Sequence, residues 1–455
     1  MKSIQRGKRL VAIMLAVFLI GMLVLIVRLL TNASYYITQS GNAYYGMIYD
    51  RSGEVLFDGI NGYTNYEAGH FSDIGPLIGD MSGQMTNTLA AKNRDLLNNY
   101  SFTIGTDAED GKASITTTLD HAANRAVFDA FGKKDGCAIA YNYKTGEILV
   151  CVSKPCIDIA QGYDSLSSLP SGSLLCKPFY RTVPGSTQKV SALAAAIETL
   201  GAEQLDGITY SCNGSFRNAQ GDVIKCHHNG HGKQTVSEAF ANSCNPYFAQ
   251  LIQNDLSLEA ITRSFSAMGY GVNGGTPAAL SINGINCETA TTVLTSTDEF
   301  STQWGCIGQG DTLVSPCQLM LWQSAVANGT GAMTMPYLIS ESTTVTGRVK
   351  DESKTTYSAS VFSADTAKKI REIMLENGTE NYQNKIPGYT VGVKSGTAQV
   401  KNGTEENSLL VGFDSDPHNP IAFCILIENR KSGELTTDSI AKTLLDALKK
   451  EDKSE

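Results

Sequence analysis

The 455-residue sequence has little histidine and less tryptophan: 6 and 2 residues. His121 and the 227–231 loop account for four of the six histidines, which leaves few candidates for a His-based catalytic triad. No internal repeat is visible, so solenoid and propeller architectures are excluded. Basic residues are outnumbered, 36 Lys and Arg against 45 Asp and Glu, for a net charge of −9. That balance argues against nucleic acid as the partner of the main body. With 42% hydrophobic and 18% charged residues the chain is a folded protein, long enough for two or three domains including one large core.

Long apolar runs are scarce too, with one exception. Leu10–Val27 carries no charge and is preceded by Lys2, Arg6, Lys8 and Arg9. The run can just cross a bilayer core, with its basic flank on the cytoplasmic side. A cleavable signal peptide has a shorter apolar core and a small-residue cleavage site. Thr31-Asn-Ala33 is a poor site of that kind, and Arg28 separates it from the apolar run. Residues 1–33 therefore read as an uncleaved, single-pass membrane anchor, with the rest of the chain extracytoplasmic.

Cysteine is plentiful, at 11 residues. Cys137, Cys151, Cys306, Cys317 and Cys424 lie in apolar patterns and read as small buried hydrophobes. Cys212 and Cys226 differ, because they lie in a polar stretch, with His227, His228 and His231 following Cys226. Outside the cell a disulfide is the natural expectation. Free thiols and a zinc site stay open beside it, although the spacing fits no standard finger.

Residues 34–112 form a polar, turn-rich segment with one hairpin pattern at Met47–Phe57, and read as a small pedestal domain. From 113 to 455 the order is two strands in a hairpin at 137–153, a mostly helical insertion, three strands and a last helix. Those three strands are Tyr389–Val400, Leu409–Asp414 and Ile421–Glu428, and the helix is Thr437–Lys450. This predicts an α+β fold: one five-stranded antiparallel sheet with helices on both faces, plus an all-helical subdomain between the second and third strands. The tail EDKSE reads as solvated.

One octapeptide, VPGSTQKV at 183–190, places Ser186 and Lys189 three apart at a helix start. They would share a face, with the amine able to reach the hydroxyl. Ser-x-x-Lys recurs at Ser439–Lys442, so the pattern alone is equally a capped helix. Two further clusters follow in order: Ser243-Cys244-Asn245 at a helix–helix junction, and Lys394-Ser395-Gly396-Thr397 on a strand. Each has decoys elsewhere, but only this set runs S-x-x-K, S-x-N, K-S-G on helix, loop and strand.

The ordered triplet is the signature of serine β-lactamases and penicillin-binding proteins. The chain most resembles the class B penicillin-binding proteins, in PGSTQK, SCNPYF, KSGTA, Ile307-Gly308-Gln309-Gly310 and Val314-Ser315-Pro316. The stretch Tyr143–Leu149 and the N-terminal Gly46–Leu56 extend that resemblance over roughly residues 45–445. The short pedestal is similar to that of the actinobacterial penicillin-binding protein A group. Gln188 stands where the family usually has Phe, Tyr45 where its N-terminal motif usually starts with Arg, and Asn407–Leu410 lacks an aromatic often found there.

The resemblance implies a penicillin-binding transpeptidase fold and a D,D-transpeptidase that cross-links peptidoglycan stem peptides and is acylated by β-lactams. Ser186 would be the nucleophile, Lys189 its base and Ser243 a proton relay. Asn245, Lys394, Ser395, Gly396 and Thr397 would bind substrate, and the backbone N–H groups of Ser186 and Thr397 would form the oxyanion hole. For Lys189 to act as a base its pKa must fall by about three units, roughly 4 kcal/mol. No cofactor or metal is implied. A membrane glycan polymerase is an expected partner. The alternatives are a β-lactamase-like hydrolase and a non-enzymatic sensor or scaffold. The first needs a water-activating group, and a sensor is expected to carry further spans and a cytoplasmic effector.

Overall fold

A computed structural model of the protein describes residues 2–38, 46–81, 83–98, 100–101, 105–106, 113–162, 165–401 and 404–449. The tail EDKSE, Tyr45 and parts of the 34–112 segment lie outside them. The central sheet is five-stranded and antiparallel throughout, in the order Val391–Val400, Glu405–Asp414, Ile421–Ile427, Gly136–Asn142, Ile148–Lys154. Strand Ile421–Ile427 lies at its centre and every residue in it is buried, so its sequence is a continuous apolar run rather than an alternation. The hairpin 136–154 turns where Asn142 Oδ1 accepts from the N–H of Lys144 and Thr145, at 2.9 and 3.1 Å.

Helices cover both faces. On one side, helices His121–Ala130 and Thr437–Leu448 close a core with Phe423, Ile425, Leu444 and Leu445. Asp120 caps the first, its Oδ1 accepting from Ala123 N–H at 3.0 Å. On the other side lies Pro316–Ala327, with Trp322 only 1% exposed. Ser315 caps it and Pro316 supplies a first-turn residue that needs no donor. Fully burying a side chain of the Leu or Phe class contributes about 1.5–3 kcal/mol, so this helix anchors the site's floor strongly.

The insertion is not all-helical. Its helices, Lys189–Leu200, Val236–Ala241, Asn245–Asp255 and Leu258–Ala267, are interleaved with short strand pairs such as Tyr210–Cys212 with Gly232–Gln234. These pairs sit in polar stretches whose Gly and Asn residues mask the period-2 pattern.

A second five-stranded sheet joins the N-terminal segment to the main body. Val55–Asp58 pairs with Met47–Tyr49, which pairs with Ser114–Thr117; that strand pairs with Ile339–Thr343, which pairs with Val349–Glu352. Strands from beyond residue 338 thus complete this second sheet. Buried Asp73 fastens this layer to helix His121–Ala130, accepting from Arg125 at 2.7 Å, Asn124 at 2.8 Å and His121 at 3.2 Å.

Candidate active site

Ser186 lies in a 3-10 turn, Gly185–Gln188, that leads directly into helix Lys189–Leu200. The turn exists because Gly185 takes φ +55, a left-handed conformation open to glycine. Its N–H donates to Gly308 O at 2.8 Å, and Thr187 Oγ1 donates to Pro184 O at 2.7 Å. Ser186 and Lys189 are 7% and 0% exposed.

Lys189 Nζ stands 2.6 Å from Ser186 Oγ. The same nitrogen reaches Asn245 Oδ1 at 2.7 Å, Ser243 O at 3.1 Å and Ser243 Oγ at 3.3 Å. Among the described residues, Lys189 is the hydrogen-bond partner of the Ser186 hydroxyl. Among the described residues no carboxylate pairs with the amine, and burial, then the positive charge of Lys394, hold its pKa well below that of an ordinary lysine. Burial lowers Lys394 to about 7. Its Nζ donates to Ser395 O at 3.0 Å and sits 5.5 Å from the Phe240 ring centroid.

Ser243 ends the turn after helix Val236–Ala241 at φ +52. A non-glycine residue held there stores strain of about 1–3 kcal/mol, which directs its hydroxyl and carbonyl toward Lys189. Asn245 opens the next helix, and its Nδ2 donates to Lys225 O at 3.2 Å. Thr397 is exposed on the edge strand and lines, with Ser186 and Asn245, a cleft of about 220 Å³. Gly396 passes close under the serine turn: a Cβ there would lie 2.8 Å from Pro184 O. Ser395 is half-buried on the same strand. Strand alternation sends the side chains of residues 394 and 395 to opposite faces.

The structure also brings in residues to which the sequence assigned no role. Gln309 Nε2 donates to Thr397 O at 3.1 Å, and Trp304 and His227 line the cleft. The I-G-Q-G step was the available signal for Gln309. Gln188, fully buried, accepts from Tyr270 Oη at 2.7 Å, a polar contact at the position where a phenylalanine is usual.

Sheet and cleft together set a buried lysine amine against a serine hydroxyl beside the edge of a five-stranded sheet. Residues 136–446 match the penicillin binding protein transpeptidase domain, and the chain belongs to that family. Stage V sporulation protein D of Bacillus subtilis is 32% identical over 325 residues, covering 69% of this chain and 48% of the relative. Peptidoglycan D,D-transpeptidase MrdA of Acinetobacter baumannii is 23% identical over 367 residues, covering 72% of this chain and 53% of the relative. The chain thus spans about half the length of the curated relatives it matches. Penicillin-binding protein A of M. tuberculosis, as a ceftriaxone acyl-enzyme complex, superposes with a TM-score of 0.76 at 20% identity, over 90% of this chain and all of that one. The D,D-transpeptidase domain of a peptidoglycan glycosyltransferase from Eggerthella lenta gives 0.70 at 20% identity, over 90% and 98%. Those two likenesses establish the shared fold.

Proposed function

We propose that the protein is a membrane-anchored peptidoglycan D,D-transpeptidase that works through a Ser186 acyl-enzyme. The observation that carries this is the 2.6 Å approach of a buried, charge-depleted Lys189 to Ser186 Oγ. Neutral Lys189 takes the hydroxyl proton as Ser186 attacks the carbonyl between two terminal D-alanines. The C–N bond breaks, Ser243 passes a proton to the departing amine, and an ester to Ser186 remains. An amine from a second stem peptide then attacks the ester, releasing the cross-linked product and returning the proton to Ser186. Asn245 holds the donor's amide, and Lys394 with Ser395, Gly396 and Thr397 receives its carboxylate end. The N–H groups of Ser186 and Thr397 stabilise the oxyanion.

A β-lactam enters the same path, but its amine stays tethered. None of the described residues lining the cleft carries a carboxylate that could activate water, which favours a persistent acyl-enzyme over a hydrolase. Intact mass after incubation with penicillin tests the reading. One acyl adduct on Ser186, lasting many minutes and absent from Ser186→Ala, is expected; rapid penicillin turnover without an adduct transfers the assignment to a hydrolase.

Residues 1–33 serve as the anchor, 34–112 as the pedestal and 113–455 as the transpeptidase domain. Support for the first is the helix Lys2–Thr38, whose span Ile4–Thr31 contains an 18-residue window of mean hydropathy 3.3, none of it buried. At about 1.5 Å per residue it exceeds the roughly 30 Å of a hydrocarbon core. The N-terminus faces the cytoplasm, the cleft faces outward, and a glycan polymerase in the same membrane supplies strands to cross-link. Protease added outside intact cells should degrade everything beyond the anchor; full protection overturns this topology.

A further inference from the structure

Where the N-terminal segment meets helix His121–Ala130, three side chains converge that the proposed mechanism does not use. A carboxylate oxygen of Glu54 and one ring nitrogen each of His70 and His121 lie within 4.8 Å of one another. Glu54 Oε1 stands 3.1 Å from His121 Nδ1 and 3.8 Å from His70 Nδ1. In a tetrahedral site with metal–ligand distances of about 2.0–2.2 Å, neighbouring ligand atoms stand about 3.3–3.6 Å apart. Shifts of a few tenths of an ångström would therefore seat an ion here. We propose that Glu54, His70 and His121 bind one structural zinc ion, which clamps the N-terminal segment to helix His121–Ala130.

The far nitrogen of each ring already has a partner. His70 Nε2 lies 3.0 Å from Val55 O, and a carbonyl can only accept, so that nitrogen carries the proton. His121 Nε2 donates to Asp73 Oδ1 at 3.2 Å, a carboxylate that also accepts from Arg125 at 2.7 Å and Asn124 at 2.8 Å. Both neutral rings thus offer an Nδ1 lone pair to the neighbourhood of one carboxylate oxygen. Three acceptors so placed call for a cation among them. A proton on His121 Nδ1 would answer the contact with Glu54, but it leaves His70 Nδ1 at 3.8 Å, beyond hydrogen-bond reach. A metal ion satisfies all three, with Asp73 and Val55 O orienting the imidazoles from behind.

The ligands arrive from three parts of the fold. Glu54 lies in the hairpin turn before strand Val55–Asp58, where its N–H donates to Asp50 Oδ1 at 2.8 Å. His70 sits in the following loop, its carbonyl accepting from Arg125 Nη2 at 2.7 Å and its ring stacked on Tyr66 at 5.4 Å. His121 is the first residue of its helix, and its N–H donates to Asp50 Oδ2 at 3.3 Å. The His121 side chain is buried and that of His70 half-buried, while that of Glu54 is exposed. Beside them opens a cavity of about 420 Å³, lined also by Glu67, Arg125 and Asp129. It gives an ion a path in and leaves room for water as the fourth ligand. Two imidazoles, a carboxylate and an open position make up a zinc ligand set.

The consequence is mechanical. Glu54 and His70 belong to the N-terminal segment, whereas helix His121–Ala130 packs on the central sheet, so one ion ties two layers together. The tie reinforces the Asp73 network at the same junction. A proton and a metal compete for His121 Nδ1, so His121 pairs with Glu54 as a cation in the metal-free protein alone. No group assigned to the Ser186 chemistry takes part.

The test uses full-length protein in detergent, stripped with a chelator, dialysed and reloaded with zinc sulfate. Elemental analysis should find about one zinc fewer per chain in Glu54→Gln and in His70→Gln than in wild type. Taking the difference sets aside any zinc held by cysteine thiols. Calorimetric titration should show binding at this site weakened by more than about 100-fold in either variant, beyond what an outer-shell change costs. Glu67→Gln, which alters the cavity lining outside the ligand set, should bind as wild type does. Zinc should raise the Tm of wild type by at least about 2 °C, and that of the two ligand variants by less. Anomalous diffraction from a zinc-soaked wild-type crystal needs no variant, and should place a peak among Glu54, His70 and His121. Equal zinc content in wild type and both ligand variants, or a crystal without that peak, overturns the site. An equal rise in Tm in the variants overturns the clamp. Acylation by penicillin is read separately, so either failure leaves the assignment of Ser186 standing.

Discussion

Gly185 and Gly308 meet backbone to backbone: the N–H of the first donates to the carbonyl of the second at 2.8 Å, and a methyl group on Gly308 would lie 1.8 Å from Gly185 O. On its other side Gly185 is pressed against the edge strand, where a Cβ would come within 2.6 Å of Thr397 O. Ser186 is thus wedged between the I-G-Q-G turn and the K-S-G strand, with glycine at each contact. Since backbone cannot yield as a side-chain tip does, Gly308→Ala should displace the serine turn. We expect a fall of at least about 10²-fold in acylation rate, the penalty for roughly 1 Å of misplacement, and a lower Tm. Gly207→Ala, which meets nothing within 4 Å, should leave both unchanged. Normal acylation by Gly308→Ala would show that the wedge does not position Ser186.

The Ser186–Lys189 pair should separate under mutation. Ser186→Ala should accept no acyl group. Lys189→Ala should still be acylated at Ser186, but more slowly by about 10²–10⁴-fold, the usual worth of a positioned base. Stopped-flow acylation with a chromogenic cephalosporin measures both, and a wild-type rate in Lys189→Ala rejects the base assignment.

Two buried lysines give the reaction a pH signature. Acylation needs Lys189 neutral, so the rate should rise as pH rises through its depressed pKa. Substrate binding needs Lys394 charged, so the profile should turn down above about 7 in the free protein. The same shift has a stability consequence. Lys394 titrates near 10.4 when unfolded, so between about 7 and 10 the unfolded chain holds the extra proton and stability rises with pH. Lys394→Met should therefore raise Tm at pH 7 and lose that advantage towards pH 10, while binding penicillin poorly. A variant less stable than wild type at pH 7 contradicts the burial account.

Tyr270 is stacked between Phe265 and Trp322, at ring distances of 4.8 and 5.1 Å, and donates to Gln188. Tyr270→Phe removes the donor and leaves Gln188 Oε1 buried and unsatisfied, which should cost about 1–3 kcal/mol in denaturant unfolding. Adding Gln188→Leu should recover part of that loss, because Gln188 is then no longer stranded, while the buried Ser191 hydroxyl still lacks its Tyr270 partner at 3.1 Å. Additive losses in the double variant would deny the coupling.

His121 reports on the attachment of the pedestal. Burial lowers its pKa, but the hydrogen bond and charge of Asp73 and the charge of Glu54 outweigh that and raise it. The stabilisation is complete below the unfolded value near 6.5 and fades as pH rises through the folded one. The Tm difference between wild type and His121→Gln should thus be larger at pH 5.5 than at pH 8.5. A difference independent of pH removes the ionic explanation.

Much of this was legible in the chain. The buried strand runs, the caps at Asp120 and Ser315, and the S-x-x-K, S-x-N, K-S-G order rest on local chemistry: burial on both faces, orphan N–H groups at helix starts, reactive groups at element ends. Chain order therefore placed Ser186, Lys189, Ser243, Asn245 and Lys394 near one another before any coordinates. What escaped was whatever depends on distant segments meeting. Strand pairing is set by partners, so nothing at Ile339–Thr343 says that it completes a sheet begun at Met47–Tyr49. Nothing in the chain order says that the excursion 212–231 folds back to set two more thiols and an imidazole against Cys244. The sequence determined which groups could react and which elements would carry them. Only tertiary structure decided which groups touch, because contact between residues far apart along the chain depends on packing that no local pattern records.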